Sequence, residues 1–117
     1  IEEVFNKSVD ELCKLSDAEY KTFIKESILT LGIAGDEKLI LNEKGKSLVD
    51  NTLLVDINKE LTSKGKKGLL TISTEVGNFK GGFILEKGGI EINNTFEALV
   101  SSLKDELEFE VANELFN

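Results

Sequence analysis

The chain has 117 residues, enough for one compact domain that buries roughly 65% of its unfolded surface. Its 22 acidic residues against 14 basic ones, all lysine, leave a net charge of −8, which argues against a nucleic-acid binder and removes the guanidinium forks that grip phosphate. With no histidine and a single cysteine, Cys13, the commonest general base is missing and no internal disulfide or thiolate metal cluster can form.

Residues 1–15, "IEEVFNKSVDELCKL", place Ile1, Phe5, Ser8, Leu12 and Leu15 at alternating spacings of four and three, a heptad seam with one serine in it. Two readings stay open: the end of a long pairing helix, or an amphipathic helix lying on its own domain. The start at Ile1 and the absence of methionine suggest a piece of a longer protein whose helix continues upstream. Cys13 reads as a half-buried helical thiol, since a nucleophile there would lack a histidine.

"SDAEYKTFIKESILTLG" follows. Ser16 and Glu19 form a capping box, and Tyr20, Phe23, Ile24, Ile28 and Leu31 trace one helical face that Gly32 closes. Residues 37–41, "EKLIL", form a short strand. A single helix is expected from Ser47 to about Ser63, burying Leu53, Leu54, Ile57 and Leu61 and stopped by Gly65. Strands are expected at 68–74, 81–86 and 89–93, the last two joined through Lys87-Gly88 as a two-residue hairpin.

Asn94 is expected to cap the final helix, with Glu97 completing a second box and Asn93 ending the strand. At 100° per residue Phe96, Leu99, Val100, Leu103 and Leu107 share a core stripe. Phe109 and Phe116 fall on nearly the opposite side and need a cover, either the first helix or another protein. The order α-α-β-α-β-β-β-α predicts an α+β fold: a small, mainly antiparallel sheet of about four strands covered by helices. The expected organisation is a stalk-like helical end at 1–15 and one globular domain at 16–117.

Several motifs imitate chemistry without its parts. Gly81-Gly82 and Gly88-Gly89 precede strands, whereas a dinucleotide loop leads into a helix. Gly45-Lys46-Ser47 resembles the end of a phosphate-binding loop, but the glycine required five residues earlier is Ile40. Asn6-Lys7-Ser8 and Asn93-Asn94-Thr95 match the glycosylation sequon, and the paired carboxylates Glu2-Glu3, Asp36-Glu37 and Asp105-Glu106 read as solvated charge. Nowhere do a nucleophile, a base and an orienting group coincide. No catalytic residue, cofactor site or metal site is expected.

The last third, "GGFILEKGGIEINNTFEALVSSLKDELEFEVANELF", resembles the end of the E subunit of V-type and archaeal A-type ATPases. The features are Gly81-Gly82, the Lys87-Gly88 hairpin, the Asn94-Thr95 helix start and the closing Leu115-Phe116. Where many members carry an arginine shortly after that asparagine–threonine pair, this chain has Leu99. The resemblance implies the C-terminal head of a peripheral stalk, or stator. Such a head pairs with a second long-helix subunit as a heterodimer and grips the N-terminal region of the non-catalytic B subunit. It implies a cytoplasmic place beside the membrane, no insertion into it, no nucleic acid and no catalysis by this chain. The surfaces expected to meet the partner helix are Ile1, Val4, Phe5 and Leu12, then Phe109 and Phe116. Two other readings compete: a self-associating adaptor joined through its first and last helices, and a small nucleotide-dependent enzyme using Lys46.

Overall fold

The computed structural model describes residues 2–116, with side chains for residues 3–110. Its elements are α1 (Glu2–Leu12), α2 (Asp17–Thr30), β1 (Lys38–Leu41), α3 (Glu43–Leu48), α4 (Asn51–Ser63), β2 (Thr71–Val76), β3 (Gly82–Lys87), β4 (Ile90–Thr95) and α5 (Phe96–Phe116). The sheet runs β2-β1-β3-β4. Pairings of β1 with β3 and β3 with β4 are antiparallel, while β1 and β2 run parallel. The fold is therefore α+β with helices on a four-stranded sheet, mixed rather than purely antiparallel. The parallel pair follows from α3 and α4, which return the chain to the starting edge before β2 begins.

One sheet face makes the core. Leu39 and Leu41 of β1 and Phe83 and Leu85 of β3 meet Tyr20, Ile24 and Ile28 of α2 and Ile57 and Leu61 of α4, all at 2% exposure or less. Burying each large apolar side chain contributes about 1.5–3 kcal/mol. On the other face Ile40 lies opposite Ile84, with exposed Lys38, Glu91 and Asn93 around them. Alternation along the strands thus separates an oily face from a mostly wet one.

Local signals set the helix ends. Ser16 and Glu19 make the expected box, at 3.1 Å for the hydroxyl and 2.9 Å for the carboxylate. The single helix expected from Ser47 is instead two. Asn42 caps α3 through Gly45 N, and Asp50 caps α4 through Leu53 N, both at 2.9 Å. Val49, 2% exposed, fills the corner between them. Gly65 does end α4: its N–H reaches Thr62 O and that of Lys66 reaches Leu61 O, a Schellman closure with φ of 82° at the glycine.

Two boundaries shift. The hairpin turn is Gly88-Gly89, with φ of 59° and 81°, and Lys87 pairs with Ile90 as a strand residue. Two consecutive positive φ values define a type I′ turn, which glycines adopt without strain. β4 runs on to Thr95, because Asn93, Asn94 and Thr95 pair with Ile84, Phe83 and Gly82. Thr95, not Asn94, then caps α5, its hydroxyl accepting the Ala98 N–H at 3.1 Å. Glu97 closes no box and instead accepts the Lys80 N–H at 2.8 Å.

The expected α5 core stripe is only half right. Phe96 is fully buried and Val100 is 6% exposed, but Leu103 and Leu107 are 60% and 50% exposed. A helix of 21 residues spans about 31 Å. Only its first turns meet the sheet and α2; beyond Val100 it outruns them.

Candidate interaction surface

The joint at the foot of α5 is closely packed. Phe96 sits edge-on between Tyr20, with ring centroids 5.9 Å apart, and Phe23, 5.3 Å away. A side-chain carbon on Gly81 would run into the Phe96 ring, so the glycine pair is a seat for an aromatic and not a phosphate cradle. Lys80 gathers α1, the turn after it and α5 beside it. Its ammonium pairs with Asp10 of α1 at 3.1 Å, its N–H binds Glu97 of α5, and its carbonyl accepts the Cys13 thiol at 3.8 Å. Burial pushes that thiol up from its ordinary value against the lowering field of Lys80, which disfavours the nucleophilic thiolate.

From this joint α1 and α5 run side by side. Val9, 7% exposed, joins the main core, and Phe5 and Leu12 pack against it half-buried. Val9 lies level with Val100, and Phe5 level with Leu103 and Leu107, so the two helices are antiparallel. Ser8 turns its hydroxyl to Val4 O at 3.0 Å. The heptad spacing puts Ser8 on the seam and passes over Val9, which stands four residues after Phe5 and so on the same helical face.

The pair leaves an apolar trough open. A cavity of about 550 Å³ is lined by Val4, Lys7, Ser8, Glu11, Leu12, Val100 and Leu103. It continues past Leu103 into about 290 Å³ bounded by Phe5, Leu103, Glu106, Leu107 and Glu110. Val4 and Leu103 are 63% and 60% exposed in its walls. Leucines and valines lining a helix–helix trough suit the apolar stripe of a third helix.

The expected interface residues fall out unevenly. Val4, Phe5 and Leu12 do come together along the trough. Phe109 is 71% exposed and lies on the far side of α5 from Leu103 and Leu107, so α1 does not cover it. Ile1 and the Phe116 side chain lie outside the described residues. Leu103 and Leu107, expected in the core, are instead trough residues.

Lys46 serves the sheet edge. Between Leu39 and Leu41 a single β1 residue faces three on β2, so Ser73, Thr74 and Glu75 bulge outward. The Lys46 ammonium donates to Ser73 O at 3.2 Å and Thr74 O at 3.3 Å, while Ser73 Oγ accepts the Glu75 N–H at 3.1 Å. Among the described residues no group of three or more acidic or cysteine side chains could hold a metal ion. No described helix is long and apolar enough to cross a membrane.

The sequence model of a family described as ATP synthase (E/31 kDa) subunit matches residues 1–116. Over all 117 residues the chain is 56% identical to the E subunit of a V-type proton ATPase from Clostridium botulinum (strain Eklund 17B / Type B), covering 58% of that relative. It is 53% identical to the E subunit of a V-type ATP synthase from Clostridium botulinum (strain Hall), covering 59%. The E subunit of a V-type ATP synthase from Clostridium perfringens (strain 13 / Type A) is 50% identical, again with 59% covered. The chain thus spans under two thirds of the length of these curated relatives.

Proposed function

We propose, from the premise that this chain belongs to the ATP synthase (E/31 kDa) subunit family, that it forms the head of a peripheral stalk in a rotary V- or A-type ATPase. In this reading the α1–α5 face receives a long helix from a second stalk subunit, giving a heterodimer. Another part of the head grips the N-terminal region of the non-catalytic B subunit. The chain performs no reaction. It opposes the torque of rotation, from the cytoplasmic side and outside the bilayer, so that ATP turnover and ion flow stay coupled.

The observation that carries this reading is the trough itself. Val4, Leu103 and Leu107 stand half or more exposed along two adjoining hollows that share Leu103, an arrangement that marks an interaction site more often than ordinary surface. The Lys80 joint and the Phe96 seat fix the direction of both helices relative to the sheet, as a torque-bearing strut requires.

The test is sedimentation of the full-length protein, alone and mixed with the other long-helix subunit of its complex. The wild type should pass from monomer to an elongated one-to-one complex. Leu103→Asp should stay monomeric in the mixture while melting at the wild-type temperature. A stable homodimer indifferent to the partner would overturn the stalk reading in favour of the self-associating adaptor.

A further inference from the structure

We propose that the α1–α5 trough selects a basic amphipathic helix, one whose leucine- or isoleucine-type stripe is flanked by lysine or arginine. This rests on the reading of the trough as a docking face and adds the chemistry of its occupant. Charge is unevenly distributed along the chain. Residues 1–15 carry four carboxylates and two lysines, and residues 96–117 carry six carboxylates and one lysine. Seven of the eight net negative charges therefore sit on the two segments that build the trough. The remaining 80 residues hold twelve carboxylates and eleven lysines and are nearly neutral.

The α5 wall repeats this bias, while the α1 wall carries one charge of each sign. Glu106 and Glu110 border the α5 side. Glu11 and Lys7 border the α1 side, and Glu11 is already paired with Lys14 at 3.0 Å. A helix lying with its apolar stripe on Val4, Leu103 and Leu107 brings its flanking positions over these carboxylates. Basic flanks pair with them; acidic flanks meet like charge, which costs affinity and steers the wrong partner away. A second copy of this chain is disfavoured on the same ground, because a two-fold contact would set each acidic wall against its own equivalent. Phosphate-bearing partners are repelled outright.

The experiment uses the full-length protein and two synthetic helical peptides with identical leucine stripes, one flanked by lysine and one by glutamate. The lysine peptide should bind at least about tenfold tighter, with the advantage shrinking between about 50 and 300 mM salt as the Debye length contracts. Glu106→Lys with Glu110→Lys should reverse the preference. Equal binding of both peptides overturns the basic-helix inference and leaves the docking reading standing. If neither binds, the inference falls. Leu103→Asp then separates the cases: loss of assembly into the complex preserves the trough as an interface, and normal assembly overturns that reading too.

Discussion

The Tyr20 hydroxyl and the Gly82 backbone form a closed pair: the hydroxyl accepts the Gly82 N–H at 3.1 Å and donates to the Gly82 carbonyl at 3.4 Å. Pairing of β1 with β3 is registered only from Lys38 to Ile40, opposite Glu86 to Ile84, so Gly82 lies beyond the last pair. A helix side chain from α2 takes over where the neighbouring strand stops. Tyr20→Phe should therefore cost about 1–3 kcal/mol by stripping buried groups of their partner, read as a lowered urea midpoint with unchanged slope. Gly82→Ala should cost more. Its φ is 83°, and an added carbon would lie 2.5 Å from Asn94 O. Gly88→Ala, at φ of 59° with nothing within 4 Å, carries only the left-handed penalty of about 1–2 kcal/mol. A Gly82→Ala variant as stable as Gly88→Ala would refute this packing account.

What the sequence made legible was local or periodic. The Ser16–Glu19 box involves residues three apart, and the α2 and α4 faces repeat every turn, so both are written in adjacent letters. The parallel β1–β2 pairing is not, since strand neighbours across two helices leave no short-range mark. Asn58 illustrates the same limit: its side-chain amide holds Leu70 N at 2.8 Å and Leu70 O at 3.1 Å, a strand-like clasp between residues twelve apart. For the candidate site, Phe5 and Leu12 were visible from heptad spacing, with Val4 expected beside them. Leu103 and Leu107 were misplaced because periodicity says which residues share a face and not how far the covering layer extends.

Lys46 gives a prediction that separates a structural lysine from a phosphate ligand. As the clamp on the Ser73–Glu75 bulge, it should lower the melting temperature modestly when changed to methionine, through loss of charge-assisted bonds to two carbonyls. Millimolar ATP with magnesium should move the melting temperature of neither protein, since a ligand stabilises only the state it binds. A clear upward shift in the wild type alone would revive the nucleotide-enzyme reading.

Along α5 the boundary between fold and surface is sharp enough to test by one substitution at three positions. Val100→Asp should unfold the domain or come close, because it places an unpaired charge in a site 6% exposed. Leu103→Asp and Phe109→Asp, at 60% and 71% exposure, should stay within about 0.5 kcal/mol of wild type. This follows from the exposure of Leu103, which the sequence had placed on the core stripe. Denaturant melts of the three variants decide it, and a Leu103 variant as damaged as the Val100 one would return Leu103 to the core.

Acid should act through Glu37. The residue is 7% exposed, and its carboxylate accepts the Ala34 N–H at 2.9 Å and the Gly35 N–H at 2.8 Å. Burial pushes the group up, but the N–H donations of Ala34, Gly35 and Glu37 itself overcome it and hold the carboxyl below its ordinary value of 4.5. A folded-state value below the unfolded one contributes stability that is fully present above the unfolded value and fades as pH falls through the folded one. Asp36 works in the same direction, lowered by hydrogen bonds from Lys87 and Lys67. Glu37→Gln keeps the shape but sets an amide against two N–H donors, so at pH 7 it should cost about 1–3 kcal/mol. The gap to wild type should narrow in acid, as the pH falls below the ordinary value of 4.5 and through the lowered folded-state one, where the native carboxyl takes up its proton. Urea midpoints of both proteins at neutral and acid pH measure this directly, and a gap that stays constant across the range would show that the Glu37 charge is not what holds the turn.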